Sequence, residues 1–234
     1  MLRTCPKIHR DRTKLYFNRH FFLFIREENV HHNDHMQTSI SIVFRMFYVI
    51  FHADNFDIRL NRYCEEAYAT KKWAFVSDVA RLWALVHEGG VYMDTDVELV
   101  RPLDRLLTNK AFLGFEGTQW VGTNLIGAEP SHSFFIELLK SYDHRCFITP
   151  DGKPDQTTNV EELTRKLEKV YGFRKDGSFQ QLGDITLYPT DYFCPYDYID
   201  GQLHRTENTY SIHWYSQTWI KRSRWINKLS QWMH

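Results

Sequence analysis

Asp94-Thr95-Asp96 is the tripeptide of this chain with the clearest chemistry in it. Two carboxylates two residues apart on an extended strand leave the same side of it, roughly 6.6 Å apart at Cα. Such a pair suits a single hard cation. Mg²⁺ and Mn²⁺ prefer oxygen ligands and commonly take one or two carboxylates, while phosphate oxygens and water complete the shell. A nucleoside diphosphate is the expected third party. An isolated Asp-x-Asp more often only solvates a turn, but here an apolar strand start and a Gly89-Gly90 turn precede it. Open α/β sheets place ligands at such C-terminal strand ends. Glu98 falls on the same face and reads as a solvated neighbour.

The elements that must position this pair are legible around it. Val79, Leu82, Trp83 and Val86 recur at i, i+3, i+4 and i+7, which predicts a helix ended by Gly89-Gly90. From Val91 to Leu99 the pattern alternates, with Val91, Met93, Val97 and Leu99 on one face and Tyr92, Asp94, Asp96 and Glu98 on the other, predicting one continuous strand. Residues 111–115, 125–128, 185–188 and 210–215 are further strand candidates. Pro130 is expected to open a helix burying Phe134, Phe135, Leu138, Leu139 and Tyr142, and Asn159 with Glu162 to cap another that ends at Gly172. Interleaved strands and helices predict an α/β fold with a mainly parallel sheet covered by helices on both faces.

Two segments around the motif carry a resemblance. Ala74-Phe75-Val76-Ser77-Asp78-Val79-Ala80-Arg81-Leu82 and Gly89-Gly90-Val91-Tyr92-Met93-Asp94-Thr95-Asp96-Val97 resemble glycosyltransferases with a DXD-containing sugar-binding region. That family includes relatives of yeast outer-chain mannosyltransferases, bacterial capsular-polysaccharide transferases and clostridial glucosylating toxins. The resemblance spans residues 54–219 and rests on the combination Ser-Asp-x-x-Arg, Gly-Gly-x-Tyr and Asp-x-Asp at this spacing. It implies a GT-A-like fold, a nucleotide-sugar donor, Mn²⁺ or Mg²⁺, and transfer to a saccharide or lipid-linked saccharide with retention of configuration, as in surface-polysaccharide and capsule synthesis.

By the same resemblance, Asp96 is the main metal ligand and Asp94 contacts donor sugar or ribose and assists the metal through water. Asp78 and Arg81 reach the donor, and Asp94, Asp96 and Arg81 carry the rate effect. Asn124, in Gly122-Thr123-Asn124-Leu125, stands near the donor or acceptor sugar. In the closing segment Ser211-Ile212-His213-Trp214-Tyr215-Ser216-Gln217-Thr218-Trp219, His213 serves metal or phosphate and Trp219 the diphosphate. Without the resemblance, Asp78 and Arg81 at i and i+3 read as a surface helix pair, Asn124 as a turn-capping amide and His213 as a structural histidine.

Composition sets the frame. The chain has 234 residues, with 29 Lys and Arg against 29 Asp and Glu, so no overall field recruits nucleic acid. Four scattered cysteines predict neither a disulfide framework nor structural zinc, and fit a reducing cytoplasm. No stretch reads as a membrane span or a signal peptide. Residues 1–53 are atypical: all 11 glycines follow residue 88, and Pro6-Lys7-Ile8-His9 only partly matches the family's opening strand. That segment is read as divergent or as translated from a shifted frame, 54–219 as the transferase domain, and 220–234 as a basic amphipathic tail. The tail interleaves Lys221, Arg222, Arg224 and Lys228 with Trp225 and Trp232, which predicts either a packed closing helix or peripheral contact with the inner face of a membrane. Two competing readings are an inactive sugar-nucleotide-binding remnant and a haloacid-dehalogenase-type phosphatase using an aspartyl nucleophile.

Overall fold

A computed structural model describes residues 56–215 in full, together with the backbone of two strands before them, β1 (Leu23–Arg26) and β2 (Phe47–Ile50). Helices α1 (Arg62–Ala69) and α2 (Trp73–His87) lead into β3 (Gly90–Met93) and β4 (Val97–Leu99). A hairpin of β5 (Ala111–Glu116) and β6 (Trp120–Ala128) follows, then α3 (Ser133–Ser141) with a 3₁₀ turn at Tyr142–His144, and α4 (Asn159–Tyr171). The chain ends, within the described residues, on β7 (Gln180–Leu182), β8 (Ile185–Tyr188), the single turn α5 (Thr190–Phe193) and β9 (Ser211–His213). The atypical N-terminal segment is thus described only at two strands, and the basic tail and Trp219 lie outside the described residues.

The main sheet has seven strands in the order β2-β1-β3-β6-β5-β8-β7, and a separate pair joins β4 to β9. Here the expectation of a mainly parallel sheet is corrected. Among the described residues β5 and β8 form the one parallel pair, and every other pairing is antiparallel. The physical reason lies in the turns. Gly117 (φ 65°) and Gly183 (φ 65°) close short connections between β5 and β6 and between β7 and β8. So short a connection can only return the chain antiparallel, whereas a parallel partner needs a crossover.

The helices cover one face. Tyr63, Cys64 and Ala67 of α1, Val79, Leu82 and Leu85 of α2, Phe134 and Phe135 of α3, and Leu163 and Leu167 of α4 join Tyr92, Leu113, Phe115, Val121 and Ile126 of the sheet in one buried core. The opposite face carries a smaller core of Val91, Met93, Phe112 and Leu125 under Leu103, Leu106 and Phe193. Period-two alternation along β3 and β5 divides residues between the two cores. Among the described residues, β4 through Val97 and Leu99, the segment holding Leu103 and Leu106, and the turn α5 cover this second face.

Local chemistry explains the element ends. Gly89, in the left-handed region (φ 63°), closes α2, and a Cβ there would stand 2.4 Å from the Pro130 ring, so only glycine fits. α4 has a capping box one residue ahead of the expected position: Thr158 accepts from the Glu161 amide, Glu161 accepts from the Thr158 amide, and Gly172 (φ 69°) ends the helix. Pro130 does not open α3; His132 is its N-cap. The predicted continuous strand from Val91 to Leu99 breaks after Met93, because Asp94-Thr95-Asp96 turns: the Val97 amide donates to the Asp94 carbonyl at 3.1 Å, and β4 joins another sheet. No described helix is long and apolar enough to cross a membrane.

Candidate metal centre

Asp94 leaves β3 still tied to β6, its amide donating to the Asn124 carbonyl at 2.9 Å. The turn then throws both aspartates outward, and the last described strand meets them. β9 pairs with β4, setting His213 opposite Val97, and the Trp214 amide donates to the Asp96 carbonyl at 3.0 Å. The His213 Nε2 atom lies 3.2 Å from Asp96 Oδ1. One ligand atom each from Asp94, Asp96 and His213 falls within 4.8 Å of the others, and all three residues are half-buried. The sequence joined Asp94 and Asp96 by strand geometry; the structure joins them by a turn and brings to them, from the far end of the chain, His213, which the resemblance had assigned to metal or phosphate.

The donor set fits a divalent cation that takes oxygen and tolerates one imidazole nitrogen, as Mn²⁺ does. Two orphan features support the fit. Among the described residues, Asp94 Oδ2 has no partner, and His213 Nδ1 is buried without one. Asp94 Oδ1 is already taken: it accepts from the Tyr92 hydroxyl at 2.6 Å and lies 3.7 Å from Arg81.

Beneath Asp94 is a buried charged layer. Asp78 and Arg81, each 7% exposed, pair at 3.2 Å within α2 and are not a surface pair. Arg81 donates through Nη1 to the Thr123 carbonyl at 2.9 Å and lies 4.7 Å over the Tyr92 ring. Asp78 also accepts from the Asn159 amide at 3.2 Å, and Asn159 Nδ2 donates back to the Asp78 carbonyl at 2.7 Å. Tyr142 completes the layer by donating to Asn159 Oδ1 at 2.7 Å. Burial raises the Asp78 carboxyl to about 6 against the opposing pull of Arg81, and drives the Tyr92 phenol well above its ordinary value. Arg81 therefore reaches Asp94 from below, in a position to fix its carboxylate.

Glu116, which the sequence did not single out, completes the surroundings together with Asn124. Glu116, at the end of β5, accepts from the Tyr215 hydroxyl at 3.1 Å, and burial raises its carboxyl, with His213 opposing and Asp94 adding to the rise. Asn124 sits inside β6, 4% exposed, rather than in a turn. Its Oδ1 accepts from the Cys194 thiol at 3.2 Å, while its Nδ2 is buried without a partner. Glu98 is outside the centre: it accepts from the Trp214 indole at 2.8 Å. A single glutamate ending an apolar strand carries no pattern, which is why Glu116 was not foreseen.

Comparison with known proteins gives the region a likeness. Residues 12–113 match the family described as glycosyltransferase sugar-binding region containing DXD motif. That match covers 102 of the 234 residues. It begins well before residue 54, where the motifs first become readable, and includes Asp78, Arg81, Asp94 and Asp96. The chain is similar to mannosyl phosphorylinositol ceramide synthase of Saccharomyces cerevisiae, 41% identical over 29% of this chain and 18% of that protein. It is also similar to inositol phosphoceramide mannosyltransferase 1 of Schizosaccharomyces pombe, 37% identical over 30% of this chain and 23% of the relative. A human alpha-1,4-N-acetylglucosaminyltransferase is 26% identical over 55% of this chain and 35% of its own length. The chain thus aligns with well under half the length of these relatives. No solved structure matches it.

Proposed function

We propose that the transferase region moves a hexose from a nucleotide-sugar donor to a hydroxyl of a saccharide or glycolipid, with Mn²⁺ or Mg²⁺ held by Asp94, Asp96 and His213. The observation that carries this reading is the meeting of those three ligands above the buried Arg81. The bound cation would supply charge neutralisation for the departing diphosphate. Asp96 and His213 hold it from the turn and from β9. Asp94 is oriented by Tyr92 and Arg81, so one of its oxygens is spent on the protein and the other remains for ligand. Arg81 acts through Asp94, as a positioning residue, rather than by reaching the donor itself; Asp78 keeps Arg81 in place.

The names of the relatives favour mannose on the donor side and an inositol-bearing lipid as one acceptor class, which fits the expected lipid-linked saccharide better than a capsule. The GT-A arrangement and retention of configuration belong to this reading too. In a same-face displacement the leaving phosphate takes the acceptor proton, so no protein base is assigned. Peripheral membrane contact and the diphosphate role of Trp219 rest on segments outside the described residues, and a cytoplasmic site rests on the scattered cysteines.

Incubation with GDP-mannose and with UDP-N-acetylglucosamine tests the proposal. Mn²⁺-dependent hydrolysis of one of them is expected, abolished by chelator and reduced roughly tenfold or more in Asp96→Asn. Turnover that is indifferent to chelator and to Asp96→Asn overturns the metal assignment.

A further inference from the structure

Trp120 opens β6 with 45% of its surface exposed. A lone exposed tryptophan needs no explanation, but this one lines a cavity. Glu161, Thr164, Arg165, Glu168 and Lys175 form the other walls of that space, which measures about 150 Å³. Four of them stand at i, i+3, i+4 and i+7 of α4, one stripe of the helix, and the stripe is polar. The walls are fixed within the fold. The Val121 amide donates to Thr164 Oγ1 at 3.0 Å, tying the strand start to the helix, and Lys175 pairs with Glu168 at 2.9 Å. Lys175 Nζ lies 5.9 Å from the centre of the indole, at the outer limit of a cation-π contact, so it rims the ring rather than covering it.

The chemistry of these walls names a ligand class. An indole offers a flat apolar face, and the carboxylates beside it accept hydrogen bonds. Glu161 Oε2 is taken by the Thr158 amide and Glu168 Oε2 by Lys175, while among the described residues the Oε1 atom of each has no partner. A ring with a C–H face and hydroxyls around its edge answers both, and that is a sugar. An anion is disfavoured, because Glu161 and Glu168 balance Arg165 and Lys175, and Arg165 is itself held by Glu162 at 2.8 Å. A lipid tail is disfavoured by size: the space is about half of the roughly 300 Å³ at which pockets for larger ligands begin.

The cavity adjoins the metal centre from two directions without touching its ligands. Trp120 pairs with Glu116 across the hairpin, Glu116 accepts from the Tyr215 hydroxyl, and the Tyr215 ring lies 3.9 Å from that of His213. On the other wall, α4 begins at Asn159, which donates to the Asp78 carbonyl. We propose that this cavity binds a neutral sugar ring of the acceptor, at least one unit away from the hydroxyl that receives the hexose. The ring lies on Trp120, with its hydroxyls answered by Glu161, Glu168 and Arg165. The acceptor role rests on the sugar-transfer reading above; the sugar-binding role rests on the cavity alone. Acceptors too short to reach Trp120 forgo this contact.

Saturation-transfer NMR on the full chain tests it, with mannotriose, triacetylchitotriose and N-acetyllactosamine as neutral probes and inositol 1-phosphate as the anionic one. At least one neutral saccharide should bind. Trp120→Ala should weaken it roughly tenfold or more, as loss of a central aromatic anchor does, and Trp120→Phe, which keeps a ring, should lose less. Glu168→Gln should weaken it roughly fivefold or more, and carries the test if Trp120→Ala does not fold. Phe179→Ala, an exposed ring outside the cavity, should stay within about twofold of the parent. Absence of saccharide binding overturns the proposal, as does parent-like binding in Trp120→Ala and Glu168→Gln. Preference for inositol 1-phosphate over every neutral probe also overturns it, by making the cavity an anion site. A separate titration with GDP and Mn²⁺ keeps the two readings apart. A parent that binds the diphosphate but no saccharide loses the cavity and keeps the transfer reading; one that binds saccharide through Trp120 but no diphosphate keeps the cavity and loses the transfer reading.

Discussion

Asp78 and Asp94 are the same residue type within reach of the same guanidinium, yet they stand in opposite states. Asp78, below Arg81, is enclosed and answered by protein: Arg81 forms an ion pair with it and the Asn159 amide donates to it. Asp94, above, gives one oxygen to Tyr92 and leaves the other unanswered beside Asp96 and His213. A carboxylate whose partners are all supplied by the fold contributes structure, and one left short contributes affinity for something else. The boundary between scaffold and site therefore runs through Arg81.

Arg81→Ala should break the comparison most severely. It leaves Asp78 buried without its cation, a class of change that costs about 3–5 kcal/mol. Urea unfolding should show that loss, and Arg81→Lys, which keeps charge but not the planar fork, a smaller one. An Arg81→Ala protein as stable as the parent would move Arg81 out of the scaffold.

Next in size is a pH effect confined to the lower aspartate. Its carboxyl is raised in the folded state from 3.8 to about 6, so between those values the folded chain holds a proton that the unfolded chain has lost. Asp78 thus contributes most stability at acid pH, and that contribution declines as pH rises from about 4 to about 6, by at most on the order of 3 kcal/mol. Asp78→Asn should remove this slope from unfolding curves measured across the window; superimposable slopes would contradict it.

The upper group should respond to ligand instead. Mn²⁺ at a hundredfold its Kd should stabilise the parent by about 2.7 kcal/mol in thermal unfolding, and Asp96→Asn should lose that protection while unfolding much like the parent in chelator. Smallest is Thr158→Ala. It removes the cap from the helix that presents Asn159 to Asp78, and should cost about 1 kcal/mol without changing Mn²⁺ protection.

Much of this was readable from residues, and the misreadings have physical causes. The Val79, Leu82 and Val86 stripe and the Gly89 stop gave α2, because helical period and a left-handed glycine are local signals. Sheet direction is not local in that way, and the strand count suggested crossovers where Gly117 and Gly183 make tight returns. The aspartate pair was recognised through the wrong geometry, since three turn-prone residues end the strand before its alternation can run on. Without the resemblance, Asp78 and Arg81 read as an exposed i, i+3 pair, because nothing in α2 itself shows that α4 will bring Asn159 over them. Glu116 needed the hairpin and β9 in place before its neighbours existed.

The pairing of β4 with β9 bears on how the centre is made. The Trp214 indole and Glu98 meet across 116 positions of chain, so the contact that delivers His213 to Asp96 is among the most distant in sequence. Contacts of such separation form late, after the intervening chain has paid its closure entropy. A nascent chain leaving the ribosome shows its aspartates long before β9 emerges, and can complete the cation-holding triad only once nearly all of the domain has been synthesised and folded. Metal capture would then report completion of folding, and a chain arrested before residue 213 would keep the acidic turn but lack the imidazole that completes it.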